Sequence, residues 1–261
     1  MKYSERRHRG GRSAGFQPAP AGMPADRPAG SRRSEKLPPP GPNDWLANHH
    51  EPGQTFEQFV ESRPNRPGTR HNTIYFQPLG TFDISLETLR QFAEAFFQMR
   101  IVILPPIGVE GIASRSNPHT QLLTTDILKL LRSELPRDAF CMLGITMIDL
   151  YPDPAWNFVF GMASLRERVG VWSFARYGGD GERMLLQRSC KVLAHETSHM
   201  FGIQHCIWYR CLMNGSNHLA ESDARPMDLC PIDLKKLQWS VGLDVEERER
   251  RIIAACASFS S

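Results

Sequence analysis

The most restrictive feature of this chain is the stretch from Lys191 to Gly215, which reads KVLAHETSHMFGIQHCIWYRCLMNG. His195 and His199 are four residues apart, so on a helix their imidazoles lie on one face, one turn apart. Two of the ligands of a tetrahedral zinc need this arrangement, and Glu196 lies about a quarter turn away, where a general base belongs. The pattern therefore predicts a helix that carries half of a catalytic zinc site.

The residues that follow supply the rest of this site. Gly202 permits the left-handed conformation that ends a helix, so the chain can turn back and present His205 as a third ligand. Met213, eight residues further on, fits a tight turn beneath the metal, where its thioether packs against the imidazoles without binding. HExxHxxGxxH is much more specific than HExxH alone, because each added residue has its own geometric role.

Three neutral imidazoles leave a fourth position on zinc for water, whose pKa falls towards ~7. Glu196 can then accept a proton as the water oxygen attacks a carbonyl, and can later deliver that proton to the leaving amine. The motif predicts a zinc hydrolase in which Glu196 is the general base.

Charge is unevenly distributed along the chain, whose formal net charge is +3 over 261 residues. Residues 1–40 contain nine Lys and Arg against three Asp and Glu, so the remainder has a net charge of −3. That balance argues against a basic nucleic-acid-binding domain. Residues 1–43 are rich in Pro, Gly, Ser and Arg and predict a disordered basic tail. Residues 44–71 are interpreted as a transitional segment, and 72–261 as the folded domain.

No apolar run approaches the length of a membrane span, and residues 1–40 lack the apolar core of a signal peptide. These features predict an intracellular protein, cytoplasmic or nuclear or both, that does not bind membranes. Six cysteines in such a chain indicate thiols or metal ligands rather than a disulfide framework. We expect a monomer.

The hydrophobic pattern predicts an α/β (α+β) fold, with strands and helices mixed along the folded part of the chain. Strands are expected at 73–80, 101–106 and 141–150, with a pair of strands at 158–165 and 169–177. Helices are expected at 86–97, 121–134, 181–201 and 231–241, with another in the charged C-terminal segment, and two short ones are expected within 44–70. The 158–165 and 169–177 runs are interpreted as a hairpin or as two edge strands.

Two segments, HETSHMFGIQHCIWYRCLMNGSNH and RPMDLCPIDLKKL, resemble the archaemetzincin family of metallopeptidases. The family pattern is HExxHxxGxxH followed directly by a Cys, a second Cys five residues on, Met two later, and a distant CxxC. The close match covers about 192–242. The resemblance implies a compact metzincin-like zincin domain with a mixed twisted sheet. It also implies peptide substrates, short ones by analogy with aminopeptidase-like relatives, and a catalytic zinc on His195, His199 and His205.

The same resemblance implies a second, structural zinc bound by four cysteines. Cys206, Cys211 and Cys230 match three of them, but the fourth falls at Asp233. Asp can bind zinc, and three thiolates plus a carboxylate carry the same formal charge as four thiolates. Asp at the third helical position also commonly caps backbone N–H groups. Both interpretations stay open: a site of three cysteines and an aspartate, or a weak or empty one.

Another class of function is a zinc-stabilised binding or scaffold protein that has lost turnover. The intact Glu196 argues against it, because a scaffold needs no base beside its metal. Glu221 lies at the spacing of a glutamate ligand in other zincins, but that choice leaves Gly202 and His205 without a role. We therefore expect Glu221 to be solvated. His218 is interpreted as solvated or bonded within its loop, with contact to substrate as the alternative.

Overall fold

Several strands of the sheet are buried at every position, and two apolar cores include residues of the sheet and of the helices packed against it. The structure is a computed structural model, and it describes residues 2–4, 35–116 and 118–257. The rest of the predicted tail, residue 1 and residues 5–34, lies outside the described residues. The described strands are β1 (Lys2–Ser4), β2 (Thr73–Leu79), β3 (Arg100–Ile103), β4 (Ser114–Ser116), β5 (Thr120–Leu123), β6 (Ala139–Thr146), β7 (Asp149–Tyr151), β8 (Val159–Ser164) and β9 (Val169–Ser173).

The sheet is mixed, in the order β3-β2-β6-β9-β8-β7-β5-β4, and the backbone of β1 runs antiparallel to β8. The strands β3, β2, β6 and β9 are mutually parallel, whereas β8 is antiparallel to β9 and forms a hairpin with it. This mixed sheet confirms the predicted α/β fold class and the hairpin.

The described helices are α1 (Trp45–Asn48), α2 (Phe56–Glu61), α3 (Leu86–Phe97), α4 (Thr124–Ser133), α5 (Glu182–Met200), α6 (Leu219–Ala224), α7 (Pro231–Val241) and α8 (Val245–Ala257). Ser85 begins α3 as predicted, because its hydroxyl accepts a hydrogen bond from the Thr88 N–H. Gly242 ends α7 in the left-handed conformation. Helices α3, α5 and α7 contribute to one apolar core and α4 to the other.

Two predicted elements differ in the structure. The apolar run 141–150 is two strands, β6 and β7, because the Thr146 hydroxyl accepts the Ile148 N–H and turns the chain. The helix expected over 121–134 begins at Thr124. Its first residues form β5, which pairs with β7, and the Gln121 amide donates to Asp149 Oδ2 at 2.7 Å. Apolar content alone does not show such breaks.

Residues 35–62, which we call the N-terminal strap, lie along the loop at residues 202–218, which we call the metal loop. The backbone of Lys36 forms a β-bridge with Tyr209, and the Leu37 N–H donates to the Trp208 carbonyl at 3.0 Å. Residues 35–43 therefore pack against the domain, although composition assigns them to the tail. The two short helices expected within 44–70 are present as α1 and α2.

Of the helices in the described ranges, none is both long and apolar enough to cross a membrane.

Candidate metal centres

Helix α5 places His195 and His199 on one face, as their spacing predicts. Both imidazoles are buried, at 4% exposure each. His195 Nδ1 lies 2.8 Å from the Leu212 carbonyl oxygen, and His199 Nδ1 lies 2.6 Å from the Ile203 carbonyl oxygen. Each carbonyl accepts an N–H from Nδ1, so both rings present Nε2 as a lone pair.

A tight turn at Gly202 brings in the third histidine. Gly202 has a φ of +83°, and its N–H donates to the His199 carbonyl at 2.8 Å. A Cβ atom at this position would lie 2.8 Å from Pro64 Cβ, so both backbone conformation and space require glycine. His205 follows at 3% exposure, with its Nδ1 2.7 Å from Glu51 Oε1.

The three histidines fit a tetrahedral zinc. One ring nitrogen from each lies within 4.8 Å of the other two, and the Nε2 atoms of His195 and His199 are 3.1 Å apart. Two nitrogens bound tetrahedrally at 2.0–2.1 Å lie about 3.3 Å apart. Burial and the neighbouring imidazoles lower the pKa of both His195 and His199, so the neutral rings that bind metal are favoured.

Glu196 is buried beside these rings, at 6% exposure. It lines a small cavity of about 30 Å³ together with His195, Phe160, Tyr177 and Arg225. Burial raises the pKa of Glu196 to about 7, against the opposing effects of the Trp172 indole N–H and the Arg225 guanidinium. A carboxyl with this pKa is suited to exchange protons at neutral pH.

Met213 lies in a turn that packs beside α5, the helix that carries His195 and His199. The Asn214 N–H donates to the Cys211 carbonyl at 3.1 Å, and the intervening Leu212 carbonyl faces His195. Met213 is fully buried, and its carbonyl accepts the Cys206 N–H at 2.9 Å. The turn predicted around Met213 is thus present, and it connects the histidine cluster to the first cysteine.

A second cluster adjoins the first. Cys206, Cys211, Cys230 and Asp233 each offer an atom within 4.8 Å of the others, and all four are buried. The sulfur atoms of Cys206 and Cys230 are 3.7 Å apart, close to the separation of about 3.8 Å that tetrahedral bonds of 2.3 Å require. The donor set and its spacing fit zinc.

Asp233 faces this cluster and does not cap its helix. Its Oδ2 lies 3.2 Å from Cys211 Sγ and 3.5 Å from Cys230 Sγ, whereas Oδ1 accepts a hydrogen bond from Lys236 Nζ at 2.8 Å. Burial raises the pKa of Asp233 to about 6, and the Lys236 ammonium opposes that shift. Asp233 stands where the family pattern has its fourth cysteine. Its position favours the interpretation as a metal ligand over the interpretation as a helix cap.

Two side chains near the centres, Glu51 and Glu221, were missed or misjudged in the sequence. Glu51 contacts His205, and no periodic pattern or motif marks it. Glu221, expected to be solvated, instead accepts the Trp45 N–H at 2.9 Å and the Asn217 N–H at 2.7 Å. His218 bonds within its surroundings as expected, to Asp44 and to the Glu221 N–H.

The model of peptidase family M54 matches residues 115–239. Archaemetzincin-2 of Macaca fascicularis is 42% identical in an alignment of 258 positions, which covers 81% of this chain and 71% of that protein. The chain belongs to the archaemetzincin family. Human archaemetzincin-1 is 35% identical, over 80% of this chain and 51% of that protein. The predicted resemblance is thereby confirmed.

Solved archaemetzincin structures agree with this assignment. The archaemetzincin of Archaeoglobus fulgidus, complexed with malonate, is 30% identical with a TM-score of 0.54. It covers 63% of this chain and 99% of its own. The archaemetzincin of Methanopyrus kandleri is 27% identical with a TM-score of 0.53, over 67% of this chain and 97% of its own. This archaemetzincin is a zinc metallopeptidase, a hydrolase whose substrates are peptides.

Proposed function

We propose that this archaemetzincin hydrolyses peptide bonds at a zinc held by His195, His199 and His205, with Glu196 as the catalytic base. The observation that carries the proposal is the convergence of three buried ring nitrogens beside a buried carboxyl. A backbone carbonyl or a carboxylate faces Nδ1 of each ring, so each Nε2 is left for the metal.

Zinc bound by three imidazoles supplies Lewis acidity, which polarises a carbonyl and acidifies water. Glu196 takes one proton from the attacking water, whose oxygen bonds to the carbonyl carbon of the peptide. The C–N bond then breaks, and Glu196 returns the proton to the departing amine. A pKa of about 7 supports both transfers, because the carboxyl group can both accept and donate a proton near neutral pH.

Cys206, Cys211, Cys230 and Asp233 are proposed to bind a second, structural zinc. Its role follows from position, because Cys206 directly follows His205 and Cys230 begins α7. A metal there ties the metal loop to α7 and holds the third catalytic ligand in place. Met213 supports the same loop from the turn beneath it.

The substrates are proposed to be short peptides, cleaved in an aminopeptidase-like manner. The narrow cavity at Glu196, bounded by Phe160, Tyr177 and Leu219, supports a small substrate segment near the base. The proposed catalytic unit extends through 72–261, with the N-terminal strap packed against it. That the chain is monomeric, intracellular and without nucleic-acid partners stays a prediction.

The proposal is tested by comparing Glu196→Gln with Glu182→Gln, an exposed glutamate on the same helix. Glu196→Gln should retain its zinc content and lose hydrolysis by about 10²–10⁴-fold. Glu182→Gln should match the wild type. The assay uses a short peptide with a free amino terminus, its N-acetylated form and a long peptide, so it also reports where cleavage occurs. Equal turnover in Glu196→Gln would reject Glu196 as the catalytic base, whereas no turnover in the wild type would favour the zinc-stabilised binding protein.

A further inference from the structure

The third histidine differs from the other two in what holds it. Carbonyl oxygens face Nδ1 of His195 and His199, but a carboxylate faces Nδ1 of His205. This carboxylate belongs to Glu51, which is 154 positions away in the sequence and lies in the N-terminal strap between α1 and α2. The Oε1–Nδ1 distance is 2.7 Å, and the side chains are 18% and 2% exposed.

A carboxylate behind an imidazole has two effects on metal binding. It accepts the Nδ1–H, which fixes the tautomer and the ring plane and leaves Nε2 as a lone pair. Its negative charge also increases the basicity of the ring as a ligand. Neither effect needs the carboxylate to touch the metal or the substrate.

Glu51 is itself held in position. The Trp45 indole N–H donates to the same Oε1 at 2.9 Å, and the Trp45 backbone N–H donates to Glu221 Oε1 at 2.9 Å. The Trp45 ring stacks on His49 at 3.7 Å and meets the His205 ring edge-on at 5.5 Å. Within the described residues, the other Glu51 oxygen is buried without a hydrogen-bond partner, so its described hydrogen bonds all meet at Oε1.

We propose that Glu51 is a positioning residue for the catalytic zinc, acting through His205, and that the N-terminal strap is thereby part of the metal centre. The inference rests on the proposed function, which makes His205 a ligand. It extends the centre to a segment that precedes the predicted folded domain.

Other residues of the N-terminal strap, besides Glu51, bind it to the metal loop. Gln54 donates to the Gly202 carbonyl at 3.2 Å and accepts the Gln204 N–H at 3.2 Å. Gly53 packs so closely that a Cβ there would lie 2.8 Å from Ile207 Cγ1. These contacts hold the strap on the metal loop when Glu51 is changed, so a loss of zinc affinity can be told apart from a loss of structure.

The experiment measures zinc affinity by competition with a chromophoric chelator in Glu51→Gln and Glu51→Ala. The catalytic zinc is identified as the ion lost in His205→Ala. Gln keeps an acceptor but loses the charge, so we expect about a 10-fold weaker affinity for Gln and up to about 100-fold for Ala. The melting temperature of the metal-free Gln variant should equal that of the wild type. Glu57→Gln, an exposed glutamate of the same strap, should leave both quantities unchanged.

Wild-type zinc affinity in Glu51→Gln would overturn the proposal, and so would a fall in affinity matched by an equal fall in metal-free stability. A failure of the proposed function looks different. In that case His205→Ala itself would keep both zinc ions, whatever the Glu51 variants do.

Discussion

Lys236 Nζ lies 2.8 Å from Asp233 Oδ1, and both side chains are only 1% exposed. This ion pair occupies one carboxylate oxygen and directs the other at the sulfurs of Cys211 and Cys230. Transfer of an unpaired charge from water costs several kcal/mol, so the Asp233 carboxylate stabilises the buried Lys236 ammonium. The pair thus supports the proposal that Asp233 is a zinc ligand at the position where the family pattern has a cysteine.

Asp233→Asn should reduce zinc content from two ions per chain to one. The neutral amide keeps the shape but is a much poorer zinc ligand than a carboxylate. Cys211→Ser should give the same result, because it removes a thiolate from the same set. Metal analysis after dialysis against a weak chelator measures the stoichiometry. A single zinc in the wild type, unaffected by either change, would contradict the second site.

Asp233→Cys should bind the second zinc more tightly and yet destabilise the metal-free protein. A fourth thiolate restores the family's ligand set, but Lys236 loses its carboxylate. Breaking a buried pair in this way costs about 3–5 kcal/mol. Urea unfolding of chelator-treated protein measures the loss. Adding Lys236→Met should recover most of the stability, and no recovery would show that the loss arises elsewhere.

Lys191 should make stability rise between pH 8 and 10.5. Burial lowers its pKa from 10.5 to about 8, Arg225 and Arg188 act in the same direction, and Asp223 opposes them. Below pH 8 both the folded and unfolded states bind the proton. Above it the unfolded state binds more protons, so the free energy of unfolding increases with pH until both states lose the proton near 10.5.

Three backbone carbonyls accept hydrogen bonds from Lys191 Nζ and favour its charged form, so we expect a gain on the order of 1–3 kcal/mol. Urea unfolding of metal-free wild type and Lys191→Met at pH 7.5, 9 and 10 measures it. The variant should lack the rise, whereas Lys129→Met, at a position where the side chain is 78% exposed, should retain it. Parallel curves for wild type and Lys191→Met would disprove the assignment.

Gly215→Ala should loosen the N-terminal strap. A Cβ there would lie 2.3 Å from Trp45 Cδ1, so the indole must move, at a cost of about 1–3 kcal/mol. Since Trp45 also holds Glu51, protease cleavage within the strap should become faster as well. Gly178→Ala is the matched control, because a Cβ at Gly178 meets nothing within 4 Å. Equal effects of the two substitutions would count against strap docking through Trp45.

Local chemistry in the sequence predicts much of this molecule. The spacing of His195, His199 and His205 requires a helix followed by a glycine turn, and both are present. Ser85 and Gly242 likewise predict where helices begin and end, because caps depend on adjacent residues. The contacts of Glu51 and Lys236 are of another kind. Glu51 directly precedes Pro52 in a loop without periodicity, and its partner is 154 residues away. Lys236 shows an i,i+3 spacing to Asp233 that usually indicates a solvated helix face.

The distance in sequence between Glu51 and His205 has a consequence for synthesis on the ribosome. Glu51 is synthesised first, and a further 154 residues must be added before His205 is part of the chain. At 5–20 residues per second, that interval is about 8–30 s. During this time the metal loop, against which the strap packs, has not yet been synthesised. A nascent chain that ends before residue 205 lacks the third histidine and therefore an assembled catalytic centre. Activity should thus appear only after residue 205 has been synthesised.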